Sequence, residues 1–266
     1  MELLGEYINY IEENKIFSFN SLRLYRRDLM DFYNFCVNKL DVNFALTNLN
    51  SEILNRFRSY IEEQGKSTAA VNRKLTAMHG FWIWLREKGL VTRDPFMQIQ
   101  RDSQYRNKTC TFLSEDEIVI LLDYEEHDLK SKIVLELIYA TGIRVGELVK
   151  LTITDIDLES QLITIPRSNK FKERVIPFNQ LLASYIQEHI KNNNLNENSK
   201  LILNRRGEGV SEREIFRLIR DAAKKSGLTK RVSPSILRNS FLKHMKENGA
   251  HETLLRDLTG QKTVNL

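Results

Sequence analysis

Apolar residues recur at three- and four-residue steps at the start of the chain: Leu3, Tyr7, Ile8 and Ile11, then Leu22, Tyr25, Leu29, Phe32 and Phe35. That period matches the turn of an α-helix and predicts two amphipathic helices. A third covers residues 53–61 and stops at Gln64 and Gly65, where glycine suits a left-handed helix end. A fourth starts at Ser67, a good N-cap, and ends before Gly89, with Val71, Leu75, Met78, Phe81, Trp82 and Leu85 on one side. Trp82 and Trp84 fall on different sides, so only one of them needs burial. Both read as packing residues rather than base-stacking platforms. Four helices with short connections predict a compact bundle over residues 1–99.

Asp94 and Pro95 break this pattern, and residues 98–111 are polar, basic and aperiodic. They predict a linker over 100–111 and a second domain over 112–266. Ser114 and Glu117 form a capping-box pair that opens a helix through Leu122. The next helix runs through Ile133, Val134, Leu137 and Ile138 to Gly142, and a further helical segment carries Arg144, Glu147, Leu148 and Leu151. Residues 162–165 and 174–177 look like short strands around a polar turn, which predicts a β-hairpin. Helices resume over about 179–191, 211–226, 235–248 and 251–258. The fold class is mainly α with a small β-hairpin or sheet.

Composition adds limits. With 41% hydrophobic and 28% charged residues, the chain reads as globular rather than disordered. No apolar run approaches the ~18 residues of a membrane span, and the N-terminus has no signal-peptide pattern. Cys36 and Cys110 stand far apart without metal-ligand spacing, which predicts reduced thiols, no metal and a cytoplasmic location. The net charge of +5 is compatible with a polyanionic partner without demanding one. Between residues 205 and 231, nine basic residues stand against four acidic ones. Such a stretch also reads as an ordinary solvated helix face.

Two arginines are candidates for chemistry. In residues 139–148, YATGIRVGEL, a Gly turn lifts Arg144 out at the start of a helix. There its guanidinium would meet a phosphate beside free backbone N–H groups and a positive helix end, with Glu147 orienting it. The second is Arg238, in the first turn after Pro234 and flanking the stripe Leu237, Phe241 and Met245. By themselves these residues fit a helix corner with an ion pair and a structural arginine better than they fit a phosphate site.

Taken together, these segments resemble the tyrosine recombinase (phage integrase) family, in its Xer-like branch, over essentially the whole chain. SLRLYRRDL at 21–29, STAAVNRKL at 67–75 and FWIWL at 81–85 are similar to the family's helical, SAM-like core-binding domain. ATGIRVGEL at 140–148 is similar to the first-arginine motif of its α+β catalytic domain. SILR at 235–238 stands where the family writes His-x-x-Arg, and Gly249, Ala250 and the 258–260 Leu-Thr-Gly turn also fit. The resemblance implies action on double-stranded DNA, in DNA recombination and integration, alongside other recombinase protomers. It implies strand cleavage without metal, ATP or any other cofactor. Arg144 and Arg238 would bind the scissile phosphate and stabilise charge on its oxygens. Lys170 in the hairpin turn would protonate the leaving 5′-oxygen, with Lys172 close by and Arg167 an alternative occupant of that place. A tyrosine would form a 3′-phosphotyrosyl link.

The sequence departs from that pattern at three points. Ser235 replaces the box histidine, Gln261 replaces the later His or Trp, and no tyrosine follows Tyr185 in the 266 residues. The expectation is therefore a site-specific DNA-binding protein that does not cleave in this form. An active recombinase represented by a truncated chain and a transcriptional or architectural regulator stay open as alternatives. DNA contacts are expected from Arg26, Arg27, Arg73 and Lys74 on the polar sides of the second and fourth helices, and from a ridge of Arg213, Arg217 and Arg220.

Overall fold

The computed structural model describes residues 2–14, 17, 19–40, 49–97, 99, 111–166 and 173–260. The chain divides into two units, Met1–Lys108 and Thr109–Leu266. Residues 100–110 of the expected linker lie outside the described residues, as does the hairpin turn 167–172.

The first unit contains α1 (Glu2–Glu13), α2 (Phe19–Lys39), α3 (Ser51–Glu63) and α4 (Thr68–Glu87). The α3 start is set by Asn50, whose side chain accepts the Ile53 N–H at 2.9 Å, and the α4 start by Ser67, as the sequence predicts. Each cap satisfies a donor that the first helical turn leaves without an intrahelical partner. The apolar stripes meet in one core that includes Tyr7, Ile11, Leu29, Phe32, Leu54, Phe57, Leu75 and Leu85. Phe32 and Phe57 pack edge to face at 5.0 Å.

Both tryptophans are buried, which corrects the expectation that one would suffice. The reason is that α4 touches α1, α2 and α3, so more than one side of it is covered. Trp84 packs on Tyr7 of α1 at 5.5 Å, while Trp82 sends its indole N–H to the Arg93 carbonyl at 2.8 Å.

The second unit contains α5 (Glu115–Leu122), α6 (Leu129–Thr141), α7 (Val145–Leu148), β1 (Ile156–Asp157), β2 (Leu162–Ile165), β3 (Arg174–Pro177), α8 (Gln180–Asn193), α9 (Glu212–Lys225), α10 (Pro234–Glu247) and α11 (Glu252–Thr259). The strands form an antiparallel sheet in the order β1-β2-β3. The hairpin of the sequence reading is β2-β3, and the two-residue β1 is an addition to it. Ile163 pairs with Ile176, and both are buried. α6 is the central helix: Ile133, Val134, Leu135, Leu137 and Ile138 are all fully buried. A helix that is apolar around most of its circumference must be covered around most of it, and α5, α8, α9 and α10 pack around it. α7 is a single four-residue turn, shorter than the segment expected through Leu151. Leu151 has left the helix, and its carbonyl accepts the Leu201 N–H at 3.0 Å. Among the described residues no helix is long and apolar enough to cross a membrane.

Candidate phosphate-binding site

Gly142 ends α6 at φ +60°, the left-handed conformation that L side chains avoid. It turns the chain so that Ile143 enters the core and Arg144 stands at the start of α7. A Cβ on Gly142 would lie 2.6 Å from the Phe241 ring and 3.3 Å from the Thr259 methyl. Gly142→Ala should therefore cost about 2–4 kcal/mol, combining left-handed strain with overpacking. Chemical denaturation of the second unit checks this; an unchanged midpoint would show that the close approach is not constraining.

Three arginines converge here from distant parts of the sequence. Arg144 donates from Nη1 to Glu147 Oε1 at 3.1 Å. Arg174, on β3, grips the same carboxylate through both terminal nitrogens, at 2.9 and 2.7 Å. Arg238, on α10, donates to the Gly142 carbonyl. All three also reach the end of α11. Arg174 Nε bonds the Leu258 carbonyl at 2.8 Å, Arg238 Nη2 the Thr259 carbonyl at 2.9 Å, and Arg144 Nη2 the Gly260 carbonyl at 3.2 Å. Three successive carbonyls thus each take one guanidinium. The last carbonyls of a helix have no intrahelical donor and carry its negative dipole end, so cations are held well there.

One carboxylate against three guanidiniums leaves the cluster strongly positive. Burial and the adjacent Arg144 charge push the Arg238 guanidinium down to about 9, against the pull of Glu147. Burial also lowers Arg144, opposed by Glu147. For Glu147, burial acts upward, but the Arg174 hydrogen bond, the Arg144 backbone N–H and both guanidinium charges outweigh it and hold the carboxyl below its ordinary value. Every cation here would gain from a further anion. The chemistry on offer is the binding of a singly charged oxyanion by forked N–H donors, and a phosphodiester is such a group.

From its sequence, Arg144 is expected beside free backbone N–H groups at a helix start. The geometry differs: the Arg144 N–H donates to Glu147 Oε2 at 2.9 Å, and a one-turn helix has little dipole to offer. Attraction for an anion therefore rests on the guanidiniums. Ser235 lies exposed in the first turn of α10. Lys170, Lys172, Arg167 and Gln261 lie outside the described residues. His244 and His251 have local tasks: His244 is buried against the Tyr139 hydroxyl at 3.0 Å, and His251 caps α11 through Thr253.

Sequence reasoning missed Arg174. The available signal was strand alternation, because residues two apart share a face and Ile176 faces the core. An arginine on the core face of a strand needs a buried partner, and Glu147 supplies it.

Of the expected DNA contacts, Arg26 and Arg27 are exposed on α2, and Arg213, Arg217 and Arg220 are exposed on α9. Arg220 pairs with Asp221 at 3.2 Å. Arg217 lines a groove of about 570 Å³ with Lys130, Arg205 and Arg206. Lys74 departs from the expectation of a solvent-facing position: it is only 5% exposed. Its ammonium bridges Asp28, at 3.1 Å, and Asp31. Arg73 is partly covered and pairs with Asp28 at 2.7 Å. The reason is Asp28, a carboxylate of zero exposure on the α2 face turned to α4, which needs cations beside it.

Two family profiles match the chain. The one described as the phage integrase family matches residues 111–265, and the one described as the phage integrase N-terminal SAM-like domain matches residues 4–89. The chain belongs to the phage integrase family. TTE1313 of Caldanaerobacter subterraneus, which is named for the tyrosine recombinases, is 31% identical over 264 residues, covering 97% of this chain and 89% of that one. Tyrosine recombinase XerD of Listeria innocua is 28% identical over 278 residues, covering 99% and 91%. The crystal structure of a lambda integrase dimer bound to a COC′ core site has the same fold, with a TM-score of 0.77 at 16% identity, covering 98% of this chain and 94% of that one. In this integrase-family chain the three-arginine cluster falls wholly within the segment matched by the larger profile.

Proposed function

We propose that this chain is a site-specific DNA-binding protein of recombination and integration that grips a backbone phosphate through Arg144 and Arg238. The observation that carries the reading is their convergence, with Arg174, on one helix end beside a single carboxylate. Such a cluster has a standing demand for an anion. The exposed arginines of α2 and α9 add phosphate contacts, which supply affinity more than sequence choice. The partner is double-stranded DNA in the cytoplasm, together with other recombinase protomers; the lambda integrase neighbour is a dimer on its core site.

In this form the chain binds without cutting. Ser235 stands where the resemblance places a histidine, and a hydroxyl cannot donate as a cation. Gln261 at the later accessory position is likewise neutral. The test joins a salt titration with a nicked duplex that traps covalent intermediates. Log affinity should fall linearly with log salt, by roughly 0.9 per neutralised phosphate, and no covalent protein–DNA product should accumulate. Salt-independent binding would sink the phosphate grip. A covalent adduct would replace the non-cutting reading with that of an active recombinase.

A further inference from the structure

We infer that Arg174 is a positioning residue for the phosphate grip: it sets the reach of Arg144 through their shared carboxylate, Glu147, and ties the hairpin to the end of α11. The inference rests on the DNA-binding reading above and deepens it. Nothing in the family resemblance assigned Arg174 a task; the geometry does.

The two guanidiniums on Glu147 differ in exposure. The Arg144 side chain is 25% exposed, whereas that of Arg174 is 8%. Of the two guanidiniums that share Glu147, Arg144 is thus the one open to a ligand, and Arg174 is the more enclosed. The donors agree with this division. Arg174 commits Nε to the Leu258 carbonyl and one N–H of each terminal nitrogen to Glu147. A guanidinium spent on a fork–fork pair and a carbonyl is a poor first contact for an arriving anion but a rigid support.

Glu147 is the link. Its Oε1 accepts from both Arg144 and Arg174, and its Oε2 accepts from Arg174 and from the Arg144 backbone N–H. With two parallel bonds from Arg174, the plane of the carboxylate is fixed, and so is the direction from which Arg144 Nη1 must approach. Gly260 completes the arrangement. A Cβ there would lie 3.3 Å from Arg174 Nη1 and 3.6 Å from Arg144 Nη1. A side chain would therefore wedge between the supporting arginine and the one it supports. Lysine cannot substitute for Arg174, because an ammonium is a point donor that cannot hold the carboxylate plane and the Leu258 carbonyl together.

The test is phosphate-ethylation interference on a duplex selected from a random library by the wild-type protein. Arg144→Ala should silence interference at one phosphate. Arg174→Lys should weaken interference at that same phosphate, about tenfold in relative binding, and leave the others as they are. Glu147→Gln, which leaves Arg174 its hold on Leu258 but removes the charged link, should reproduce the pattern and carries the test if Arg174→Lys fails to fold. Should Arg174→Lys and Glu147→Gln weaken every phosphate evenly, or none, Arg174 is only a fold-stabilising residue and the inference falls while DNA binding stands. If the library yields no duplex, the DNA-binding reading falls and this inference with it.

Discussion

Arg144→Ala should lower duplex affinity by about ten- to a hundredfold at moderate salt, the range set by losing one charge-assisted phosphate contact worth about 1.5–3 kcal/mol. The slope of log affinity against log salt should shrink by about one, because one phosphate fewer is neutralised. Fold stability should change little by comparison. Glu147 keeps its two bonds from Arg174, and the Gly260 carbonyl lies beside a side chain that is already a quarter exposed. Arg144→Lys separates charge from shape. It should restore most of the salt slope but little of the affinity, since a lysine cannot span Glu147 and Gly260 at once. Fluorescence anisotropy at several salt concentrations measures both quantities. Unchanged affinity and slope in Arg144→Ala would remove Arg144 from the interface and favour a regulator that binds through its first unit alone.

The largest loss of stability is expected in the first unit, at Asp28. Its carboxylate has zero exposure and faces Arg73 at 2.7 Å and Lys74 at 3.1 Å. Asp28→Ala leaves buried Lys74 beside Asp31, whose side chain is itself 44% exposed. Breaking a buried ion pair from one side typically costs about 3–5 kcal/mol, because the remaining charge stays out of water. The urea midpoint of the first unit should drop accordingly. The double change Asp28→Leu with Lys74→Met should recover most of the loss, since it removes both buried charges at similar volume, and Arg73, at 31% exposure, can turn to solvent. If the single and double variants were equally unstable, packing rather than stranded charge would be the cause. The consequence reaches function, because this cluster ties α2, which carries exposed Arg26 and Arg27, to α4.

The helical bundle, the caps at Ser67 and Ser114, the hairpin strands and the glycine turn at Gly142 were legible in the chain. Each depends on a period, a cap or a glycine conformation expressed within a few residues. Local patterning by itself favoured a structural role for Arg144 and Arg238, and only their family context favoured phosphate binding. Other features were not legible, for a reason shared among them. Lys74 looked like a polar-face residue because its helix pattern cannot reveal a buried carboxylate more than forty positions earlier. Trp82 and Trp84 looked like one buried and one exposed residue because a single-helix pattern does not count how many neighbours surround it.

Arg144 and Arg238, with the glycine turn between α6 and α7, were thus determined as candidates by the sequence alone, since the turn and the arginines are properties of short segments. Tertiary structure alone decided what they form. It brought Arg174 across from the sheet to Glu147, and it set the Leu258, Thr259 and Gly260 carbonyls in a row before three guanidiniums. Electrostatic partnership depends on distance in space, and the hydrophobic pattern that folds each segment carries no record of which distant charge will stand beside it.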